Sequence, residues 1–175
     1  MTATTQATQA RKIKTGTLHR SATFERAAVD EESRTVELAF SSEEPYGRWF
    51  GTEILDHDKK SIRLGRLKNG GPLLLDHDTR SHVGVIESVD IGPDRVGRAV
   101  VRFGRSAAAE EAFNDVKDGI RKHVSVGYRV HKMRLEEEGA DGAESTYRGT
   151  DWEPLEVSIV AVPADACPTP NLPAR

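Results

Sequence analysis

Lys122-His-Val-Ser-Val-Gly-Tyr-Arg-Val130 is the stretch on which the reading of this chain turns. At period two it sets Val124, Val126, Tyr128 and Val130 on one face, and His123, Ser125, Gly127 and Arg129 on the other. The pattern predicts a strand with its apolar face buried and Ser125 on the opposite side, beside a residue that has no side chain. A glycine inside a strand marks a bulge or a close approach by a neighbour. A small hydroxyl with cleared space beside it suits a nucleophile that receives a peptide. It suits an ordinary strand serine equally well, and this stretch alone leaves both open.

Just upstream, Ser106 is placed to cap a helix carrying Ala109, Ala112, Phe113, Val116 and Ile120 at helical spacing. Glu110 and Glu111 near its start and Lys117 near its end suit the helix dipole, and Gly119 is placed to stop it. Val83–Val89 and Arg95–Phe103 read as a hairpin joined by the turn residues of 90–94. Before it, Pro72-Leu-Leu-Leu75 reads as a short buried strand delivering Asp76-His77-Asp78. Asp56 or Asp58 is expected to cap a short helix over Lys60–Leu67, ended by Asn69-Gly70-Gly71. Arg48–Leu55 reads as an irregular strand and Arg34–Phe40 as a regular one. Downstream, the acidic, glycine-containing run 136–144 reads as a solvated hairpin tip. Two strands are expected around it, Ser145–Arg148 and Leu155–Val162, with Glu156 and Ser158 sharing the face away from the core.

The chain has 175 residues, 37% apolar and 30% charged, which fits one domain with a modest core. Its net charge of −3, from 25 basic and 28 acidic residues mixed along the chain, makes no case for nucleic acid or a membrane surface as partner. Cys167 is the single cysteine, so no internal disulfide is expected. No apolar run approaches the roughly 18 residues that cross a bilayer. The reading is an intracellular, soluble protein with a disordered leader over 1–32, a folded domain over 33–165 and a proline-rich tail or linker over 166–175. The leader is free of acidic residues as far as residue 24, like a transit peptide, but it has no apolar core of the secretory kind. The tail suits either a natural terminus or a junction to a further segment.

An unactivated serine is a poor nucleophile at neutral pH. It needs a base within hydrogen-bonding reach, and the base needs a third group to fix its tautomer. His77, Ser125 and Glu156 each sit where a strand would hold them, but spacing cannot decide whether they meet.

Four segments, in order, resemble the prohead (head maturation) serine proteases of tailed phages: Leu-Leu-Leu-Asp-His-Asp at 73–78, His-Val-Gly-Val-Ile-Glu-Ser-Val at 82–89, Asp-Gly-Ile-Arg-Lys-His-Val-Ser-Val-Gly-Tyr at 118–128 and Pro-Leu-Glu-Val-Ser-Ile-Val-Ala-Val-Pro-Ala at 154–164. The resemblance implies a serine endopeptidase with Ser125 as nucleophile and His77 as general base. It also implies Glu156 as third member, with Asp76, Asp78, Asp151 and Glu153 as rivals. It implies a β-rich α+β fold of the herpesvirus assembly-protease type: a small, mostly antiparallel β-barrel with flanking helices. Capsid and scaffold proteins would be its peptide substrates, and the protease would also cut itself. It would act as a homo-oligomer without a cofactor, inside the assembling prohead in the host cytoplasm.

Two other readings compete. One is a metal-dependent hydrolase using Asp56, His57, Asp58, Asp76, His77 and Asp78, with His82 nearby, since imidazole and carboxylate suit zinc or manganese. The other is a non-catalytic capsid scaffold component. His57, His82, His123 and His131 read as surface or strand histidines, His123 being the best substitute base. Arg129 could bind a substrate carboxylate.

Overall fold

The computed structural model describes residues 16–23, 29–140 and 143–163. The first 15 residues of the expected leader and the expected tail at 166–175, with Cys167, lie outside the described residues. Ten strands and two helices follow in chain order: β1 (Leu18–Thr23), β2 (Val29–Asp30), β3 (Thr35–Ser41), β4 (Tyr46–Arg48), β5 (Gly51–Leu55), α1 (Gly65–Lys68), β6 (Pro72–Leu75), β7 (Asp78–Ile91), β8 (Gly97–Phe103), α2 (Ala107–Lys117), β9 (His123–Glu137) and β10 (Thr146–Val160). The main sheet runs β1-β9-β10-β6-β7-β8-β3-β2, and the β4–β5 hairpin joins it through β10. Its pairings are antiparallel except those of β10 with β5 and β6. The protein is thus β-rich α+β, its sheet curled into a half-barrel. Near the opening, Arg20 of β1 donates to the Ser42 carbonyl just past β3 at 3.1 Å.

The core lies inside the curl. Val124, Val126 and Tyr128 are fully buried, as their alternation requires, together with Val157 and Ile159 of β10. Trp152 and Tyr128 meet edge to face at 5.8 Å, and the Trp152 indole donates to the Asp56 carbonyl at 2.8 Å. Helix α2 starts where Ser106 Oγ accepts the Ala109 N–H at 3.3 Å. It lays Ala109, Ala112, Phe113 and Val116 onto the sheet, with Phe113 against Phe103 at 5.3 Å.

Several expectations are corrected. Leu18–Thr23, inside the expected leader, is a strand on β9. The helix expected over Lys60–Leu67 shrinks to Gly65–Lys68. Asp56 and Asp58 accept the N–H groups of Asp58 and Lys60 at 3.0 and 2.9 Å, and such local bonds compete with helix. Arg48–Leu55 is the end of β4, the turn and all of β5 in the β4–β5 hairpin, because Gly51 takes φ +126, which side chains resist. The two strands expected around Pro154 are one. Register shifts in β10 absorb that proline, which a regular ladder excludes. Ile120 is 70% exposed, since Gly119 at φ +73 ends the helical path before it. Ala161 lies past β10 and is exposed.

Candidate active site

Strand pairing alone assembles the floor of the site. Ser21 of β1 and Ser158 of β10 both stand opposite Ser125, and His19 and Glu156 both stand opposite Gly127. Residues directly opposite one another point to the same face of the sheet. Three adjacent strands therefore present a serine row, Ser21-Ser125-Ser158, and beside it a row His19-Gly127-Glu156. Leu155 is the extra residue between Pro154 and Glu156, which face consecutive residues of β9. A Cβ at residue 127 would stand 2.2 Å from Glu156 Oε1, so Gly127 is the gap through which the carboxylate reaches its partner. The bulge that Gly127 suggested thus falls on the partner strand. What approaches the glycine is a side chain.

His77 arrives from above. β6 and β7 are joined by Asp76 and His77 alone, at φ +47 and +60. Positive φ at both central residues is the pattern of a type I′ turn, whose twist matches the strands it joins. Neither residue is the glycine that takes this conformation freely, so the turn holds His77 at some conformational cost. The His77 N–H donates to Ser158 Oγ at 3.2 Å, and the Asp76 N–H donates to the Ile159 carbonyl at 3.0 Å. The imidazole Nε2 lies 2.8 Å from Ser125 Oγ, and Nδ1 lies 2.7 Å from Glu156 Oε1. Glu156 Oε2 accepts the Ser158 hydroxyl at 2.7 Å. With the carboxylate accepting from Nδ1–H, Nε2 is left as acceptor for the serine proton. Ser125 is 1% exposed, while the His77 side chain keeps 23%.

The rival acids are engaged elsewhere. Asp76 accepts the Ala161 N–H at 2.8 Å, Asp78 holds Arg80, Asp151 takes a bidentate pair from Arg63, and Glu153 faces His131 and Arg66. The imidazole bonded to Ser125 Oγ belongs to His77; half-buried His123 stands opposite Val160. The Asp-His-Asp tripeptides do not converge as a metal site. His57 is in the core, its ring bonded to the Leu55 carbonyl at 2.8 Å and to Ser41 Oγ at 2.9 Å, and burial lowers its pKa. Among the described residues, the potential metal ligands that cluster are instead His19, His77 and Glu156.

His19 is the residue the sequence does not announce. Its ring centroid lies 3.8 Å from that of His77, at 49°. Arg48 holds the strand by donating to the His19 carbonyl at 2.9 Å, and Arg20 donates to the Glu53 carbonyl at 2.8 Å. Burial and then the neighbouring His77 lower the pKa of His19. Period-two alternation of Leu18, Arg20 and Ala22 against His19, Ser21 and Thr23 was available as a strand signal. The polar composition around it reads instead as a leader. Ser158 was legible as a residue on the Glu156 face, but its bond to the His77 backbone depends on the β6–β7 turn.

A buried serine, an imidazole and a carboxylate joined by two hydrogen bonds on a β-rich frame make an arrangement of the serine-hydrolase type. Residues 59–168 match the Caudovirus prohead serine protease family, and the chain belongs to it. It is also 44% identical over 131 residues to a protein named major capsid protein from Halomonas phage phiHAP-1. That match covers 73% of this chain and 21% of the relative, so the chain spans about a fifth of the relative's length. No solved structure matches it.

Proposed function

We propose that the chain is a serine endopeptidase of phage head maturation that cuts capsid and scaffold segments, and itself, through an acyl-enzyme on Ser125. The observation that carries this reading is the unbroken line Ser125 Oγ–His77–Glu156, with bonds of 2.8 and 2.7 Å. Ser125 Oγ attacks the scissile carbonyl while its proton passes to His77 Nε2. Glu156 holds the ring and stabilises the imidazolium. His77 then returns the proton to the leaving amine, and water repeats the sequence to release the acid.

Membership of the prohead protease family and likeness to a protein named for the capsid support capsid components as substrates, met inside the assembling prohead in the host cytoplasm. The burial of Ser125 supports delayed action. A substrate carbonyl reaches a nucleophile 1% exposed only after its cover shifts, and self-association during assembly is the step assigned to that shift. The half-barrel and its mostly antiparallel ladder support a herpesvirus assembly-protease type of fold. Among the described residues no helix is long and apolar enough to cross a membrane.

A second reading, a structural capsid component without catalysis, draws on the relative's name. Intact-mass measurement over time, on wild type and Ser125→Ala incubated with and without co-expressed capsid protein, separates the two. Trimming of the chain or the capsid protein by wild type alone supports the protease. Identical masses in both proteins under both conditions overturn it.

A further inference from the structure

His19 has no task in the proton relay, yet it is held against it. Its Nδ1 is buried and has no hydrogen-bond partner among the described residues. One ligand atom from each of His19, His77 and Glu156 lies within 4.8 Å of the others. Two imidazoles and one carboxylate, with a fourth position left to water, are a donor set that zinc takes in tetrahedral geometry. The set is not an accident of long surface side chains. His19 and Glu156 stand opposite the same glycine of β9, on the two strands that flank it, and His77 is pinned by its turn.

We propose that His19, His77 and Glu156 form a binding site for one zinc-class divalent ion, and that the ion, when bound, withdraws His77 from the serine. A metal entering between Glu156 Oε1 and His77 Nδ1 takes the Nδ1 lone pair. The proton that leaves Nδ1 moves to Nε2, so the ring stays neutral, but the lone pair facing Ser125 Oγ is gone. No base then remains for the serine proton, and removal of the metal restores the first tautomer. Binding is independent of the proposed proteolysis; its consequence for rate rests on that reading.

Cobalt(II), which reports tetrahedral coordination by its strong visible absorption, tests the site in the Ser125→Ala chain, where self-cleavage is removed. The expected result is a saturable one-to-one signal displaced by zinc. His19→Ala in the same background weakens it by at least about tenfold, since loss even of an outer-shell partner of a ligand costs that much. Glu156→Gln serves as a second ligand variant, and circular dichroism melting establishes that each variant is folded. Absence of the tetrahedral signal, or cobalt affinity in folded His19→Ala and Glu156→Gln unchanged from that of the Ser125→Ala parent, overturns the site. In the active chain zinc is expected to suppress peptide cleavage and a chelator to restore it. Unchanged cleavage by zinc-saturated protein overturns the switch. His19-dependent metal binding in a chain that cleaves nothing even without zinc leaves the site standing and fails the protease reading alone.

Discussion

Glu156 Oε1 occupies the space that a methyl group on residue 127 would fill, 2.2 Å from the position of that missing Cβ. The carboxylate is the end of a flexible side chain, so Gly127→Ala is relieved by swinging Glu156 aside rather than by moving backbone. The fold is expected to lose about 1–3 kcal/mol, because the displaced carboxylate gives up its bonds to His77 and Ser158. The proposed relay loses the group that would orient its base. Cleavage is expected to fall by about 10² to 10⁴, the range that loss of an orienting carboxylate produces. Peptidase rates set beside denaturant midpoints check the split. A large midpoint shift with a proportionate fall in rate would show that residue 127 serves packing instead.

How far the sequence reached has a physical explanation. The faces of β9, the cap of α2 and the β7–β8 hairpin follow from patterns only a few residues long, and these hold in the structure. Pro154 and Gly51 misled for the opposite reason. Their consequences depend on what lies across the sheet, a bulge in one case and the Ser145 carbonyl, 2.3 Å from a Cβ at residue 51, in the other. Ser125 and Glu156 were legible as residues on the strand faces away from the apolar core, and His77 as the end of an apolar run. Their convergence was not, because it depends on β10 pairing with both β9 and β6. His19 was hidden by composition, since β1 gains its place through Arg20 and Arg48 rather than through an apolar face.

Ser158 links the two halves of the relay, accepting the His77 N–H at 3.2 Å and donating to Glu156 at 2.7 Å. Ser158→Ala leaves a buried N–H and a carboxylate oxygen each short of one partner. The expected cost in stability is about 1–3 kcal/mol, the penalty for an unsatisfied buried group. With both the turn and the carboxylate loosened, turnover is expected to drop by about tenfold while KM holds, because Ser158 is fully buried and spends its bonds on His77 and Glu156. A change confined to KM would contradict this placement.

Glu53 is fully buried beneath β1. It faces Arg20 and Arg48, each at 3.5 Å, and accepts the Tyr128 hydroxyl. Burial, then the Glu53 charge, raise the pKa of Tyr128, so it remains a donor at any working pH. Glu53→Ala strands two guanidinium groups in the interior, and breaking a buried pair in this way costs about 3–5 kcal/mol. The same change frees the strand that carries His19. Urea unfolding, together with amide exchange at residues 18–23, is expected to show global destabilisation and early opening of β1. A midpoint near that of wild type would mean that water already reaches the cluster.

Acid sensitivity is expected from His57. Burial lowers its pKa below 6.5 and nearby Arg20 and Arg95 act in the same direction, while the Leu55 carbonyl and Glu43 pull it back up. The folded state therefore keeps the ring neutral where the unfolded chain takes a proton. The stabilisation is fully present above the unfolded value of 6.5 and is lost as pH falls below it. The slope approaches about 1.4 kcal/mol per pH unit for one such group until the folded ring itself protonates. His57→Asn keeps a donor for the Leu55 carbonyl and does not titrate. Its stability, from urea midpoints between about pH 7 and 5, is expected to fall less steeply than that of wild type. Parallel slopes would remove His57 as the source.

Glu156→Gln separates charge from orientation. A glutamine can turn its carbonyl oxygen to the His77 Nδ1–H and its amide to Ser158 Oγ, since the serine hydroxyl can accept where it formerly donated. The base then keeps the tautomer in which Nε2 faces Ser125. What is lost, in the proposed mechanism, is the negative charge that would stabilise the imidazolium formed as the serine attacks. The expected fall in turnover is about 10- to 100-fold, smaller than the roughly 10⁴ seen where an amide imposes the wrong tautomer. Glu156→Ala loses orientation as well and is expected to be the slower enzyme by at least another tenfold. Burst kinetics with an activated ester place both losses in acylation. Equal rates for the two variants would mean that the Ser158 hydroxyl does not reverse, and that the glutamine amide faces the imidazole instead.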